Sequence, residues 1–131
     1  MKVFRSVLLL SYVLSMHLMA DTIYTCYQPT GDAEIVFSTS SISGQPLLSY
    51  SDDSGIGFDL MGREMQVEAM PGSIIVGASL LGHPRFSGFA AWFPVVAPEV
   101  THVTPVILLT DNNGTPLPGN DYDCSITRVE S

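Results

Sequence analysis

The sequence predicts an all-β fold: a single antiparallel β-sandwich or flattened barrel of about eight to nine short strands, with its terminal strands linked by one disulfide. Three observations predict it. Short apolar or alternating runs recur between turn signals at intervals of roughly 8 to 12 residues. The first twenty residues have the order of a secretory signal peptide. The only two cysteines, Cys26 and Cys124, lie near the two ends of the remaining chain.

The start of the chain predicts export. A basic start precedes an apolar run that ends near Leu18, and Ala20 stands just before Asp21. A signal anchor is the alternative, but the run is shorter than the roughly 20 residues that span a bilayer. We therefore expect a signal peptide over 1–20 and a single β domain over 21–131. The protein would then be secreted or periplasmic, with no membrane attachment after cleavage.

The chain is acidic, with 13 Asp and Glu residues, 5 Lys and Arg residues and a formal net charge of −8. Cleavage would remove Lys2 and Arg5, leave Arg63, Arg85 and Arg128 as the basic residues, and bring the net charge to −10. Such a surface repels phosphate backbones and anionic lipid, which argues against nucleic acid or a membrane as a partner. The acidity either keeps a secreted protein soluble or attracts a cationic protein. The oligomeric state is not predicted.

The two cysteines predict how the ends of the domain are arranged. Export permits a disulfide, and two cysteines allow one internal pair, with free thiols or an intermolecular bridge as the alternatives. Tyr24 lies two residues before Cys26, and Tyr122 lies two residues before Cys124. Residues i and i+2 of a strand share a face. We therefore expect two neighbouring terminal strands joined by a bridge, with a tyrosine beside each cysteine.

The strands between these ends follow from apolar runs and turn residues. The runs cover residues 23–28, 33–39, 47–50, 56–60, 62–70, 73–81, 86–93, 100–103, 106–110 and 122–129. Gly, Pro, Asn, Asp and Ser separate them, as in the turn 52–55 and the extended loop 111–120. The run 33–39 is rich in the residue types that favour strands.

Two of the middle runs carry specific expectations. Over 62–70, good helix formers compete with the alternation of Met65, Val67 and Ala69, and the alternation favours a strand. The continuous apolar run 73–81 is expected to be buried on both faces, with its glycine marking a bulge or a close backbone approach.

Three later runs are placed by their composition. The run 86–93 holds the only tryptophan, Trp92, and is expected to belong to the core. Prolines limit pairing beyond it, so 100–103 is expected to be a short edge strand. The apolar run 106–110 is expected to be a central strand.

Two loops are the candidate binding surfaces. The first presents a proline-stiffened turn and an arginine, a residue type enriched in binding hot spots; its residues are His83, Pro84, Arg85 and Phe86. The second belongs to a loop long enough to be functional; its residues are Asp111, Asn112, Asn113 and Gly114. For both loops an ordinary exposed connection is the alternative.

Asn113 begins an N-x-T sequence that ends at Thr115. It would be a glycosylation acceptor in a eukaryotic secretory pathway, and an Asn-Gly turn in a bacterium.

The sequence indicates no cofactor and no metal. The loop 111–122 lacks the Gly and Glu that an EF-hand calcium loop needs, and Asp52, Asp53 and Asp59 are interpreted as a solvated acidic turn. No zinc-binding histidine spacing is present. A hydrolase built from a serine, a carboxylate and either His83 or His102 is the catalytic alternative, and it requires these groups to meet in the fold.

Several segments, taken in order, resemble a family of small exported bacterial proteins with no assigned activity. They are S-T-S-S-I-x-G-x-P over 38–46, F-x-x-x-G-x-E over 58–64, G-S-I-I-V over 72–76, and F-A-A-W-F-P-V-V over 89–96. The resemblance implies an all-β domain and transfers no catalytic residue.

The frame of Tyr24, Cys26 and Cys124 is also similar, more faintly, to that of membrane-bound inhibitors of c-type lysozyme. Those are small exported β-barrels, and the similarity implies a basic enzyme as the target. Their S-G-x-x-Y signature has no counterpart here, since Phe89, Ala90 and Ala91 follow Ser87 and Gly88.

Together these observations predict an exported, non-catalytic β domain that acts as a protein-binding or inhibitor-like module. A surface-assembly subunit, in which an edge strand pairs with a neighbour, is the alternative, and a hydrolase is the third class considered.

The predicted processing gives a direct test. Intact mass of the exported protein should equal that of residues 21–131 less two hydrogens for the disulfide, and reduction should add those two hydrogens. A glycan on Asn113 would appear as added mass on the peptide that carries it. Retention of residues 1–20 would contradict the predicted cut.

Overall fold

Ten antiparallel strands and one short 3-10 helix make up the regular structure in the computed structural model, which describes residues 22–29, 32–39, 45–117 and 121–129. The strands are β1 (Thr22–Tyr27), β2 (Glu34–Ser38), β3 (Leu48–Ser51), β4 (Phe58–Leu60), β5 (Gln66–Met70), β6 (Ser73–Ser79), β7 (Phe86–Pro94), β8 (His102–Val103), β9 (Val106–Asp111) and β10 (Asp123–Arg128). The 3-10 helix is Gly62–Glu64. The predicted signal peptide lies outside the described residues. Within those residues, no helix has the length and apolar character needed to cross a bilayer.

The strands form two antiparallel sheets that face each other. The six-stranded sheet has the order β4-β3-β2-β1-β10-β8, and the four-stranded sheet has the order β5-β6-β7-β9. The β4–β5 connection takes the chain from the first sheet to the second, and the β8–β9 connection joins the opposite edges. The predicted antiparallel sandwich is confirmed, and the two sheets do not close into a barrel.

One side of each sheet supplies the core, as the period of two along a strand requires. In the six-stranded sheet the buried positions are Tyr24, Cys26, Ile35, Phe37, Leu48, Tyr50, Leu60, Cys124 and Ile126. In the four-stranded sheet they are Ile74, Val76, Phe86, Phe89, Ala91, Phe93, Ile107 and Leu109. Burial of this apolar surface is the main favourable term in folding.

An aromatic cluster joins the sheets at the centre of the core. The ring of Phe93 lies 4.8 Å from that of Phe37 and 5.0 Å from that of Tyr24, between centroids. The Tyr24 hydroxyl donates a hydrogen bond of 2.8 Å to the carbonyl of Pro94, so it crosses from one sheet to the other. Burial raises the pKa of Tyr24, against the opposing charge of Arg128.

The first and last strands are neighbours, as predicted. β1 and β10 pair along their whole length, with Cys26 directly opposite Cys124, and the two cysteines form a disulfide. Tyr24 is on the buried face of β1 beside Cys26, and Tyr122 is buried just before β10. Burial raises the pKa of Tyr122 to about 12, with contributions from two nearby aspartates.

Four expectations for individual elements need correction. The run 62–70 begins with a 3-10 turn, and its strand starts only at Gln66. β6 is buried on one face, because only one sheet covers it, and its register with β7 stays regular through Gly77. β9 is an edge strand, because β7 is its only partner among the named strands. Trp92 points away from the core and is 39% exposed.

The disulfide gives a stability test of this topology. Replacing both cysteines by alanine should lower the free energy of unfolding by about 2–5 kcal/mol, because the cross-link restricts a loop of nearly the whole domain in the unfolded chain. Urea unfolding of the double variant beside the oxidised protein measures the loss. An unchanged midpoint with an unchanged urea dependence would contradict the cross-link.

Candidate functional site

Three loops meet at one end of the sandwich, and an ion pair joins two of them. The loop after β3 carries Asp52, and the loop before β7 carries Arg85. One guanidinium nitrogen of Arg85 lies 2.8 Å and 3.1 Å from the two Asp52 carboxylate oxygens. The same nitrogen donates to the Ile56 carbonyl at 3.0 Å and to the Ser54 hydroxyl. Because β3 and β7 belong to different sheets, this contact ties the sheets together at that end.

The Asp52 carboxylate is saturated with donors. Besides Arg85, it accepts hydrogen bonds from the Tyr50 hydroxyl at 2.8 Å and from the amide and hydroxyl of Ser54. Partial burial raises the pKa of Asp52, but the hydrogen bonds from Ser54, Arg85 and Tyr50 outweigh it, so the pKa lies well below its ordinary value. For Tyr50, burial and the hydrogen bond to Asp52 raise the pKa.

His83 holds the same pair of loops through backbone contacts. Its Nδ1 atom lies 3.1 Å from the amide of Arg85 and 3.2 Å from the amide of Phe86, and both amides donate to it. Nδ1 is therefore the unprotonated nitrogen, and Nε2 donates its proton to the Gly57 carbonyl at 2.9 Å. A Cβ atom at Gly57 would overlap the Tyr50 carbonyl oxygen, so this close approach needs glycine.

The structure brings the two predicted binding loops together. The Asn112 amide donates to the carbonyls of His83 at 3.2 Å and Pro84 at 2.8 Å. In the second loop, the Asp111 carboxylate accepts the amides of Asn113 and Thr115, which shapes the turn.

The loop residues differ in what they offer a partner. Phe86 is buried, with an exposed fraction of 1%, and Arg85 is already bound by Asp52. Pro84, Asn112, Asn113 and Gly114 are exposed. Leu81 at the tip of the first loop is 88% exposed, which the sequence did not indicate. A binding role for these loops, and a glycan on Asn113, stay predictions.

The outer face of the six-stranded sheet is mostly polar and carries His102, Ser125 and Asp123, groups of the kind that the hydrolase hypothesis requires. His102 and Ser125 are directly opposite each other on β8 and β10. His102 Nδ1 lies 3.9 Å from the Asp123 carboxylate, beyond hydrogen-bond distance, and both side chains are mostly exposed. The Ser125 hydroxyl donates to the Thr25 carbonyl. These contacts do not form the hydrogen-bonded serine, histidine and carboxylate set that such catalysis needs.

Part of the outer face of the four-stranded sheet is apolar, and we call this part the apolar face. It consists of Met70, Ile75, Ala90, Trp92, Val106 and Leu108. Trp92 is flanked in register by Ile75 on β6 and by Val106 on β9. The exposed fractions are 39% for Trp92, 56% for Val106 and 40% for Leu108. A contiguous exposed patch of this kind is typical of interaction sites.

A shallow cleft adjoins the apolar face, with a volume of about 510 Å³. Its lining residues are Arg63, Glu64, Met65, Gln66, Gly77, Ala78 and Ser79. A Cβ atom at Gly77 would meet nothing closer than 4.0 Å, so the missing side chain leaves space on the outer face. One carboxylate oxygen of Glu64 accepts the Met61 amide, whereas Arg63 has no hydrogen bond or ion pair with any described residue.

Two of the three arginines after residue 20 are engaged within the protein. Arg85 binds Asp52, and Arg128 donates to the carbonyls of four residues in the loop after β7. Those four residues are Val96, Ala97, Pro98 and Val100. The acidic side chains on the surface are therefore offset by few free cations.

The acidic turn shows no metal-ligand set. Across the described ranges, no group of three or more His, Cys, Asp or Glu side chains is arranged to hold a metal ion. Asp53 contacts Asp32, and this hydrogen bond raises the pKa of Asp53.

Comparison with models of protein families, with curated protein sequences and with solved structures finds no match for this chain.

The ion pair between the loops gives a pH test. The folded-state pKa of Asp52 is below its unfolded-state value of about 3.9, so the folded protein binds fewer protons there. The stabilisation is fully present above that unfolded-state value and is lost as the pH falls from it through the lower folded-state pKa. Asp52→Asn should cost about 1–3 kcal/mol at pH 7 and flatten the loss of stability between pH 5 and pH 2.

Urea unfolding at several pH values measures this difference against the unmodified protein. Asp59→Asn, an exposed carboxylate on β4, is the matched control and should change both quantities much less. Equal behaviour of the two variants would contradict the role given to Asp52.

Proposed function

We propose that the chain is a non-catalytic protein-binding module that docks a basic protein on its apolar face. The observation that carries this proposal is the exposure of Trp92 between Ile75 and Val106 on the outside of a sheet whose other side already fills the core. Aromatic residues are enriched in protein interfaces, and interface centres are poor in charge.

Charge supports a basic partner. The apolar face has Glu68 at its margin, in register with Ile75, and Glu64 lines the adjoining cleft. Arg63 also lines that cleft, so two carboxylates stand against one guanidinium beside the face, and the chain as a whole has a net charge of −8. A partner with an apolar centre and a basic rim would complement this arrangement, and the charges would increase the association rate at low salt.

The construction of the face also suits binding. Its side chains project from β6, β7 and β9, whose register is set by regular pairing in the sheet. Side chains held on paired strands need little further ordering, so less affinity is lost on association.

The similarity to lysozyme inhibitors supplies one defined basic protein to test. Titration of the purified domain with a c-type lysozyme, followed by calorimetry and by lysozyme activity, would detect an inhibitor-like role. The Trp92→Ala variant should weaken any such binding by at least about tenfold if the apolar face is the contact surface.

A partner of unknown identity can be trapped directly. A photo-crosslinking amino acid placed at Leu108 should give an adduct with a basic protein in the producing cells or their medium. The same amino acid at Thr127, on the outer face of the other sheet, is the matched control. The Leu108 adduct should weaken as salt increases, because salt screens the attraction. Equal labelling from both positions, or adducts only with acidic proteins, would contradict the proposal.

A further inference from the structure

β5 is an edge strand whose outer backbone groups have no described partner. It pairs only with β6, and all five of its residues are exposed. Met70 and Ser73 close a hairpin with the two loop residues Pro71 and Gly72 between them. In such a closing pair, the N–H and C=O of each residue bond to the other residue. Because these backbone groups alternate in direction along a strand, the N–H and C=O of Glu68, two residues before Met70, also point towards β6.

The groups of Val67 and Ala69 therefore face the open edge. No hydrogen bond joins either residue to the described part of the chain on that side. Met65 continues the line, because its backbone is extended, with φ −140° and ψ 158°. Each of Met65, Val67 and Ala69 thus presents a backbone N–H donor and a C=O acceptor to the open edge.

The other described edges are shorter or partly covered. β8 has two residues and β4 has three. Along β9, Leu117 donates to the Leu109 carbonyl and Asp111 donates to the Thr115 carbonyl, so the chain's own next segment pairs with that edge. Natural edge strands are usually protected by charged side chains, proline or a bulge; β5 has no proline, lysine or bulge, and Glu68 is its one charged residue.

We propose that β5 pairs antiparallel with β5 of a second copy of this chain, about a twofold axis at Val67. Val67 would exchange both of its hydrogen bonds with Val67 of the second copy, and Ala69 would do so with Met65 of the second copy. This pairing joins two four-stranded sheets into one of eight strands, and it is independent of the partner proposed for the apolar face.

Charge and backbone geometry select this register among the twofold alternatives. An axis at Met65 places Val67 opposite Arg63, which belongs to the 3-10 helix and cannot continue a strand pair. An axis at Glu68 places that carboxylate opposite its own copy, and an axis at Gln66 places Glu64 opposite Glu68, both unfavourable. An axis at Ala69 places Val67 opposite Pro71, which has no N–H to donate. With the axis at Val67, Glu68 lies opposite Gln66 of the second copy, whose amide can donate to the carboxylate.

Side-chain burial favours the same arrangement. The Val67 side chain is 49% exposed although it lies on the core side of β5, because the facing sheet does not cover it. In the proposed pair it would lie directly against its counterpart. An exposed β-branched side chain would thereby leave water at the centre of the new contact.

Cross-linking tests the register. Val67→Cys should form an intermolecular disulfide readily in air, because the two Cα atoms would lie about 5.5 Å apart. Ala69→Cys is the matched control and should form far less, since its counterpart would lie opposite Met65. A chain carrying both Met65→Cys and Ala69→Cys should cross-link as Val67→Cys does. Failure of Val67→Cys to cross-link, or equal cross-linking by Ala69→Cys, overturns the proposal.

Oligomeric state gives the second readout. Sedimentation of the purified protein, with its Cys26–Cys124 disulfide intact, should show a monomer–dimer equilibrium. Val67→Pro removes only an N–H that faces the open edge, a position where proline is tolerated, and should raise the dissociation constant at least about tenfold. Val67→Lys should do the same if the proline variant folds poorly. A monomer at every concentration up to the millimolar range overturns the proposal.

Salt separates this contact from the proposed function. Two acidic copies repel each other at a distance, so the dimer should strengthen as salt screens that repulsion. Capture of a basic protein on the apolar face should weaken under the same conditions. Dimerisation that weakens with salt, or that is lost in Trp92→Ala and kept in Val67→Pro, would place the self-contact elsewhere and contradict the β5 pairing.

Discussion

The pairing of β1 with β10 is the constraint on which the rest of the structure depends. It places the two ends of the domain side by side in the six-stranded sheet, and the Cys26–Cys124 disulfide secures their register. The strands between β1 and β10 therefore belong to a chain segment whose two ends are held side by side. Tyr24 lies on the same buried face as Cys26. Its ring packs against Phe93 and its hydroxyl donates to the Pro94 carbonyl, so β1 is also attached to the second sheet.

The two sheets differ in the use of their outer faces. Alternation commits one side of every strand to the core, so the other side is free to serve solubility or binding. The six-stranded sheet presents polar groups such as Thr25, Ser125 and Asp123, whereas the four-stranded sheet presents Trp92 and Leu108. Under the proposed function, stability and recognition would be carried by different residues of the same strands.

The sequence predicted the sandwich and the disulfide well because both depend on local or pairwise signals. The predicted turn residues lie close to the observed ends of most strands. Tyr24 and Cys26 share a buried face, as the alternation of side chains along a strand requires. The apolar face was missed for a physical reason: a strand that is apolar on both sides has the same pattern whether or not a second layer covers it. The pattern therefore predicts Trp92 in the core and β9 at the centre of a sheet, and both predictions are wrong.

The loop contacts were also beyond prediction from the sequence. The residue type of Arg85 predicts a binding role, but its partner Asp52 is 33 residues away in the chain, and no local pattern connects them. The same holds for Asn112 and the carbonyl of Pro84. The two predicted loops do lie together, yet much of what they contain holds the end of the sandwich in place.

Hydrogen exchange of the oxidised protein, read residue by residue, tests the central role of the β1–β10 pair most directly. Amides within 23–27 and 123–128 that bond across this pair should exchange slowest in the domain, at the rate of global unfolding. They should accelerate more than any other group when the disulfide is reduced. Exchange there as fast as in the edge strand β4, or exchange unaffected by reduction, would contradict the account.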